Sequence, residues 1–146
     1  LSREIKFRGR HIDTGEWVYG NLIGTDVIVG PIVEWDSEYF NTEYWVKVDP
    51  ETVGQYTGLQ DRNGKEIFEG DFVTLTKRDE EYVIQGNGYM DVGIENGWSV
   101  SGTVKFLHNS WFIEEDNEKG LPLDFEGKQA LEIIGNIHEN PELLSA

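Results

Sequence analysis

Three histidines, 28 carboxylates and not one cysteine set the chemistry open to this chain. Without a thiol there is no cysteine nucleophile and no cysteine-ligated zinc. His11, His108 and His138 are far apart, and none has a second histidine at metal-ligand spacing. His108, beside Asn109 and Ser110, and His138, beside Glu139, meet only if their strands pair. Ser99, in Gly97-Trp98-Ser99-Val100-Ser101, lacks the second glycine of a nucleophile elbow. Gly86-Asn87-Gly88 is too short for a dinucleotide fingerprint, and no helix signal follows it. Asp61-Arg62-Asn63-Gly64 has the alternating oxygens of a calcium loop but not its remaining ligands, because position 70 is glycine and Glu69 stands at the wrong offset. Acid pairs are too abundant for any one to be informative. Glu34, Asp36 and Glu38 around Trp35 mark where a small carboxylate-dependent hydrolase would place its site. The residues assign no catalytic group, no metal and no cofactor, and the expectation is a protein that is not an enzyme.

Charge narrows the partners. Twelve basic against 28 acidic residues leave a net −16. Proteins that grip nucleic acid gain affinity by displacing counterions with clustered lysine and arginine, so direct nucleic-acid binding and adhesion to anionic membrane are disfavoured. No window approaches the roughly 18 apolar residues that a membrane helix needs, and the expected location is the cytoplasm. One segment departs from the acidic body: Arg3, Lys6, Arg8 and Arg10 against Glu4 give the first ten residues +3, leaving −19 for the rest. These bases either face solvent from an amphipathic first strand or dock on an acidic surface of another copy.

The elements that would position such groups are strands. Seventeen glycines, six tyrosines, seven phenylalanines and many β-branched residues point to short strands and tight turns. Strands are expected from Ile5/Phe7, over 16–23 with Trp17, Tyr19 and Leu22 inward, and over 26–33, where Gly30-Pro31 makes an edge or a bulge. Residues 34–42 read as a surface loop and 44–48 as a strand. Asp49-Pro50-Glu51-Thr52 can cap and start one helical turn. Asn63-Gly64 marks a hairpin between Leu59 and Ile67-Phe68, with positive φ at Gly64. Strands then follow over 71–77, 102–107, 111–113 and 131–137, with turns at 108–110 and 114–120, and Pro141 starts a terminal turn. Residues 77–100 read as a long excursion.

Three blocks carry a family resemblance: Arg3-Glu4-Ile5-Lys6-Phe7-Arg8-Gly9 at the start, Gln55-Tyr56-Thr57-Gly58-Leu59-Gln60-Asp61-Arg62-Asn63-Gly64-Lys65-Glu66-Ile67-Phe68-Glu69-Gly70-Asp71-Phe72-Val73 in the middle, and Glu132-Ile133-Ile134-Gly135-Asn136-Ile137-His138-Glu139-Asn140-Pro141 at the end. Together they resemble the YopX family of phage and prophage proteins. The resemblance implies a mainly β protein with an SH3-like small barrel in its C-terminal half, and it implies no activity. A soft boundary near Gly58 gives an N-terminal β subdomain, residues 1–58, and a barrel domain, residues 59–146.

The expected function is that of a phage accessory protein that binds protein, its own copies or a host or phage partner. The hydrolase and an acidic nucleic-acid mimic occupying a host protein are the alternatives. Trp17, Trp45 and Trp111 are expected in the core, and Trp35 and Trp98 on loops. Arg3, Lys6, Arg8, Arg10, Trp35 and Tyr39 are the candidate interface residues. An assembly held by the basic strand weakens with added salt, whereas repulsion between acidic bodies relaxes with it.

Overall fold

Glycine, proline and asparagine punctuate the chain every few residues, and what lies between pairs as antiparallel strand. The computed structural model describes residues 4–86, 88–116, 119–123 and 129–145. The protein is mainly β, as expected.

The first half builds β1 (Phe7–Arg10), β2 (Trp17–Ile23), β3 (Val27–Val29), β4 (Ile32–Trp35), β5 (Phe40–Thr42), β6 (Trp45–Lys47), β7 (Gly54–Gln60) and β8 (Glu66–Phe68). Six of these form a sheet in the order β6-β3-β2-β1-β7-β8, and β4 and β5 form a separate two-stranded ribbon. Pro50–Thr52 is a single 3-10 turn, with the Asp49 carboxylate accepting the Glu51 amide at 3.1 Å. The hairpin at 61–65 has Gly64 at φ +82°, and Asn63 is not in the left-handed region. Space around a Gly64 Cβ is open, so the left-handed backbone alone selects glycine there.

The second half builds β9 (Asp71–Lys77), β10 (Glu80–Gly86), β11 (Tyr89–Glu95), β12 (Trp98–Leu107), β13 (Ser110–Asp116), β14 (Lys119–Pro122) and β15 (Gln129–Asn136). Five of them form a sheet in the order β14-β13-β12-β9-β15, while β10 and β11 pair only with each other. Among the described residues no ladder joins β14 to β15. The turn between β12 and β13 places both His108 (φ 50°) and Asn109 (φ 64°) in the left-handed region, as a two-residue hairpin turn requires. A 3-10 turn, Pro141–Ser145, follows β15.

Three expectations need correcting. Residues 34–42 are not an irregular loop but the arms and tip of the β4–β5 ribbon, and 77–100 contain the β10–β11 ribbon and the start of β12. At Gly30-Pro31 the chain parts from β2 but stays paired, through Gly30 N–H to Tyr44 O at 2.9 Å and Glu43 N–H to Pro31 O at 2.8 Å, and runs on as β4, an edge strand with a register shift between Ile32 and Glu34, as the proline led one to expect. Over 114–120 the polar stretch continues β13 to Asp116 and restarts at Lys119 as β14, with 117–118 outside the described residues. The physical reason is common to the ribbons: both of their faces meet solvent, so hydrophobic alternation carries no signal of backbone pairing.

The main core is Ile67, Val73, Leu75, Val104, Ile113, Leu123 and Leu131. Ile67 comes from β8 of the first sheet, so the two sheets share one core. Asp61 ties the same junction together. Its carboxylate accepts the amides of Asn63 (2.8 Å), Lys65 (3.0 Å) and, from β15, Ile133 (3.1 Å), and from the same turn Arg62 N–H donates to Leu131 O of β15 at 2.8 Å. Burial pushes this carboxyl up, but the three amides outweigh it and hold it below its usual value. The motif that resembles a calcium loop is therefore a buried turn clasp.

Candidate protein-interaction surface

Of the bases in the opening segment, Arg8 of β1 turns fully inward and Lys6, just before β1, is half-buried. Lys6 Nζ lies 2.7 Å from Glu66 Oε2 and 3.2 Å from Glu4 Oε1, and the carboxylates raise its pKa. Arg8 is buried, with its guanidinium 2.8 Å from Asp71 Oδ1, while Asp71 Oδ2 accepts the Phe68 amide at 2.8 Å. The rings of Trp17 and Phe68 hold that guanidinium at 4.4 and 4.9 Å. Arg10 donates to Gly15 O at 2.9 Å. Arg3 lies outside the described residues. Alternation along β1 suggested solvent-facing bases, but Arg8 carries its charge between the two sheets, facing an aspartate 63 positions away. Burial nevertheless pushes Asp71 above the usual carboxylate range, against the pull of Arg8.

Around this pair is a cavity of about 480 Å³, lined by Arg8, Trp17, Tyr19, Glu66, Asp71 and Glu139 among others. Trp17 Nε1 donates to Glu139 there at 2.5 Å. Glu69, whose carboxyl burial also pushes up, lines a second cavity of about 250 Å³ together with Glu51, Lys105 and His138. The two carboxyls with raised pKa therefore face different cavities, although one residue separates them in sequence. The two histidines have different ring neighbours: His108 meets Phe112 edge-on at 6.1 Å and His138 meets Trp17 at 6.0 Å. His11 Nδ1 accepts its own turn's amide from Asp13. Among the described residues no three His, Asp or Glu side chains gather as a metal site.

The aromatic residues divide differently from expectation. Trp17 and Trp111 are half-buried, but Trp45 is 70% exposed, on β6, the three-residue strand at the end of the first sheet. Tyr19, expected inward, is also exposed, leaning on Phe68 at 5.5 Å. Trp98 belongs to β12, paired with Lys77, and not to a loop. Trp35 (79% exposed) and Tyr39 (74% exposed) stand at the tip of the β4–β5 ribbon, with Phe40 opposite Trp35. Asp36 accepts the amides of Glu38 (2.8 Å) and Tyr39 (2.9 Å), which fixes the tip and holds its carboxyl below the usual range. These aromatics bound a groove of about 560 Å³ with Ile32 and Val33. Glu34, Asp36 and Glu38 sit in open solvent around it.

The second exposed surface, β10–β11, had no sequence signal beyond its apolar residues. Its base is closed by Asp79, which accepts the Gly97 amide at 2.6 Å, and by Lys77 and Glu95 at 3.3 Å.

In fold the chain is similar to the crystal structure of protein EF1440 from Enterococcus faecalis, at 24% identity and a TM-score of 0.57, over 98% of this chain and 99% of that one. No curated protein matches it. Among the described residues no helix is long and apolar enough to cross a membrane. The YopX protein family model matches residues 6–145, nearly the whole length, and the chain belongs to that family.

Proposed function

We propose that this protein is a non-enzymatic accessory protein of phages and prophages, acting in the host cytoplasm by binding protein, its own copies included. The observation that carries this reading is the pair of two-stranded β ribbons that reach out beyond the two large sheets and hold aromatic and aliphatic side chains in solvent. Isolated two-stranded ribbons are marginal in water, and exposed aromatics in a cluster mark contact surfaces. Trp35 and Tyr39 on the β4–β5 tip suit a host or phage partner, with the surrounding acids as its polar rim. Scattered acids support the non-enzymatic part: the carboxyls with raised pKa line separate cavities, and the acids around Trp35 are solvated, the tip's Asp36 tuned toward the ionised form.

Sedimentation of the purified protein over a concentration series, at low and high salt, tests the association. A concentration-dependent oligomer is expected, and a monomer throughout overturns self-binding. Ester, phosphate and glycoside reporters test the rest. Turnover abolished by one acid substitution overturns the non-enzymatic reading.

A further inference from the structure

The two faces of the β10–β11 ribbon are finished differently. Directly paired residues share a face and neighbours alternate, so the register Tyr82↔Gly93, Ile84↔Asp91 and Gly86↔Tyr89 defines one side. On that side each tyrosine ring lies over the glycine opposite it, where no Cβ would fit. The other side carries Glu81↔Ile94, Val83↔Val92 and Gln85↔Met90. Its four aliphatic side chains are 58–71% exposed.

We infer that this second face is a homotypic contact, the surface on which a second copy of the same ribbon stacks. The inference rests on the self-association read above and names its surface. The pattern on the face is self-complementary. A two-fold axis running across the strands through the Val83–Val92 pair sets each valine on its own counterpart in the second copy. It sets Ile94 on Met90, and Glu81 on Gln85. Apolar meets apolar, and each carboxylate meets an amide that can donate to it, twice by symmetry. No acid meets an acid on the face itself. Residues 80–95 carry four acids and no base, so the bodies of two copies repel at longer range. Added salt therefore strengthens the contact. This is opposite to the salt dependence expected of a basic-strand contact, and Lys6 and Arg8 are engaged inside the chain.

The full chain has no cysteine, which makes a single introduced thiol an unambiguous probe. Stacked sheets stand about 10 Å apart, a gap that a short bis-maleimide spans. Val92→Cys is expected to cross-link to a covalent dimer, and Tyr82→Cys, on the opposite face, is not. Gln85→Lys, which sets an ammonium against Glu81 of the second copy, is expected to tighten the dimer about tenfold in sedimentation, whereas Val92→Asp dissociates it with an unchanged circular dichroism spectrum. Equal cross-linking of both cysteine variants, or of neither, overturns the inference, as does association that weakens with salt. If Trp35→Ser with Tyr39→Ser dissociates the wild-type oligomer and Val92→Asp does not, the ribbon is wrong while self-association stands. A wild type that is monomeric at every salt concentration removes both.

Discussion

Val73 and Val104 are wholly buried, while Val83 and Val92 are each 58% exposed. All four sit in antiparallel strands with ordinary alternation and aliphatic neighbours. The difference is the second layer. β9 and β12 line a core to which β8 of the other sheet adds Ile67, whereas among the described residues the aliphatic face of the β10–β11 ribbon stays exposed. Burial here belongs to the partner element and not to the residue. The same valine that holds the fold together in one strand is left for an external contact in another.

The strongest way to break this comparison is at the junction that makes the core region one body. Arg8→Ala leaves Asp71 buried without its cation, and a loss of about 3–5 kcal/mol in urea unfolding is expected. A loss within about 1 kcal/mol would mean that the sheets hold together without the pair. Next, Leu131→Ala, in the core, is expected to cost about 2–5 kcal/mol, and Ile94→Ala, on the ribbon, to stay within about 0.5 kcal/mol in dilute monomer. If the two cost alike, the ribbon face is covered and the contrast fails.

The smallest effect is a pH dependence. His138, half-buried beneath Trp17, has its pKa lowered by burial first and by Arg8 and Arg10 next, against Asp49 and Asp71. A folded-state pKa below the ordinary 6.5 means that the folded protein resists the proton, so stability is full above that value and falls as the pH drops through the folded-state value. Melting temperature should therefore decline on moving from neutral to mildly acidic pH, and His138→Phe should flatten the decline over that window. Glu69 and Asp71, with raised pKa, act in the opposite sense, adding stability as the pH falls. A wild-type profile that rises as the pH falls below neutral would exclude the histidine as its source.

Much of the frame was legible because it is local. Asn63-Gly64 sets its turn through backbone sterics, Asp49-Pro50 caps its 3-10 turn, and the alternation at 71–77 and 102–107 places Val73, Leu75 and Val104 on one side. The ribbons were not legible, since strands wet on both faces leave no periodic trace. Nor was the fate of Arg8, Trp45 or Asp61, whose partners lie dozens of positions away or are missing.

The sequence by itself determined the β class, the turns at 49–52 and 61–64, the family, the acidic field, and the absence of thiol chemistry, because each follows from residue type, short-range sterics or total charge. Only the tertiary structure decided which strands share a sheet, that Lys6 and Arg8 are neutralised from within by Glu66 and Asp71, and that one ribbon face is exposed. Those outcomes depend on which distant surfaces meet, and desolvation makes the meeting of a charge or an apolar face with its partner an energetic matter that no neighbour in the chain encodes.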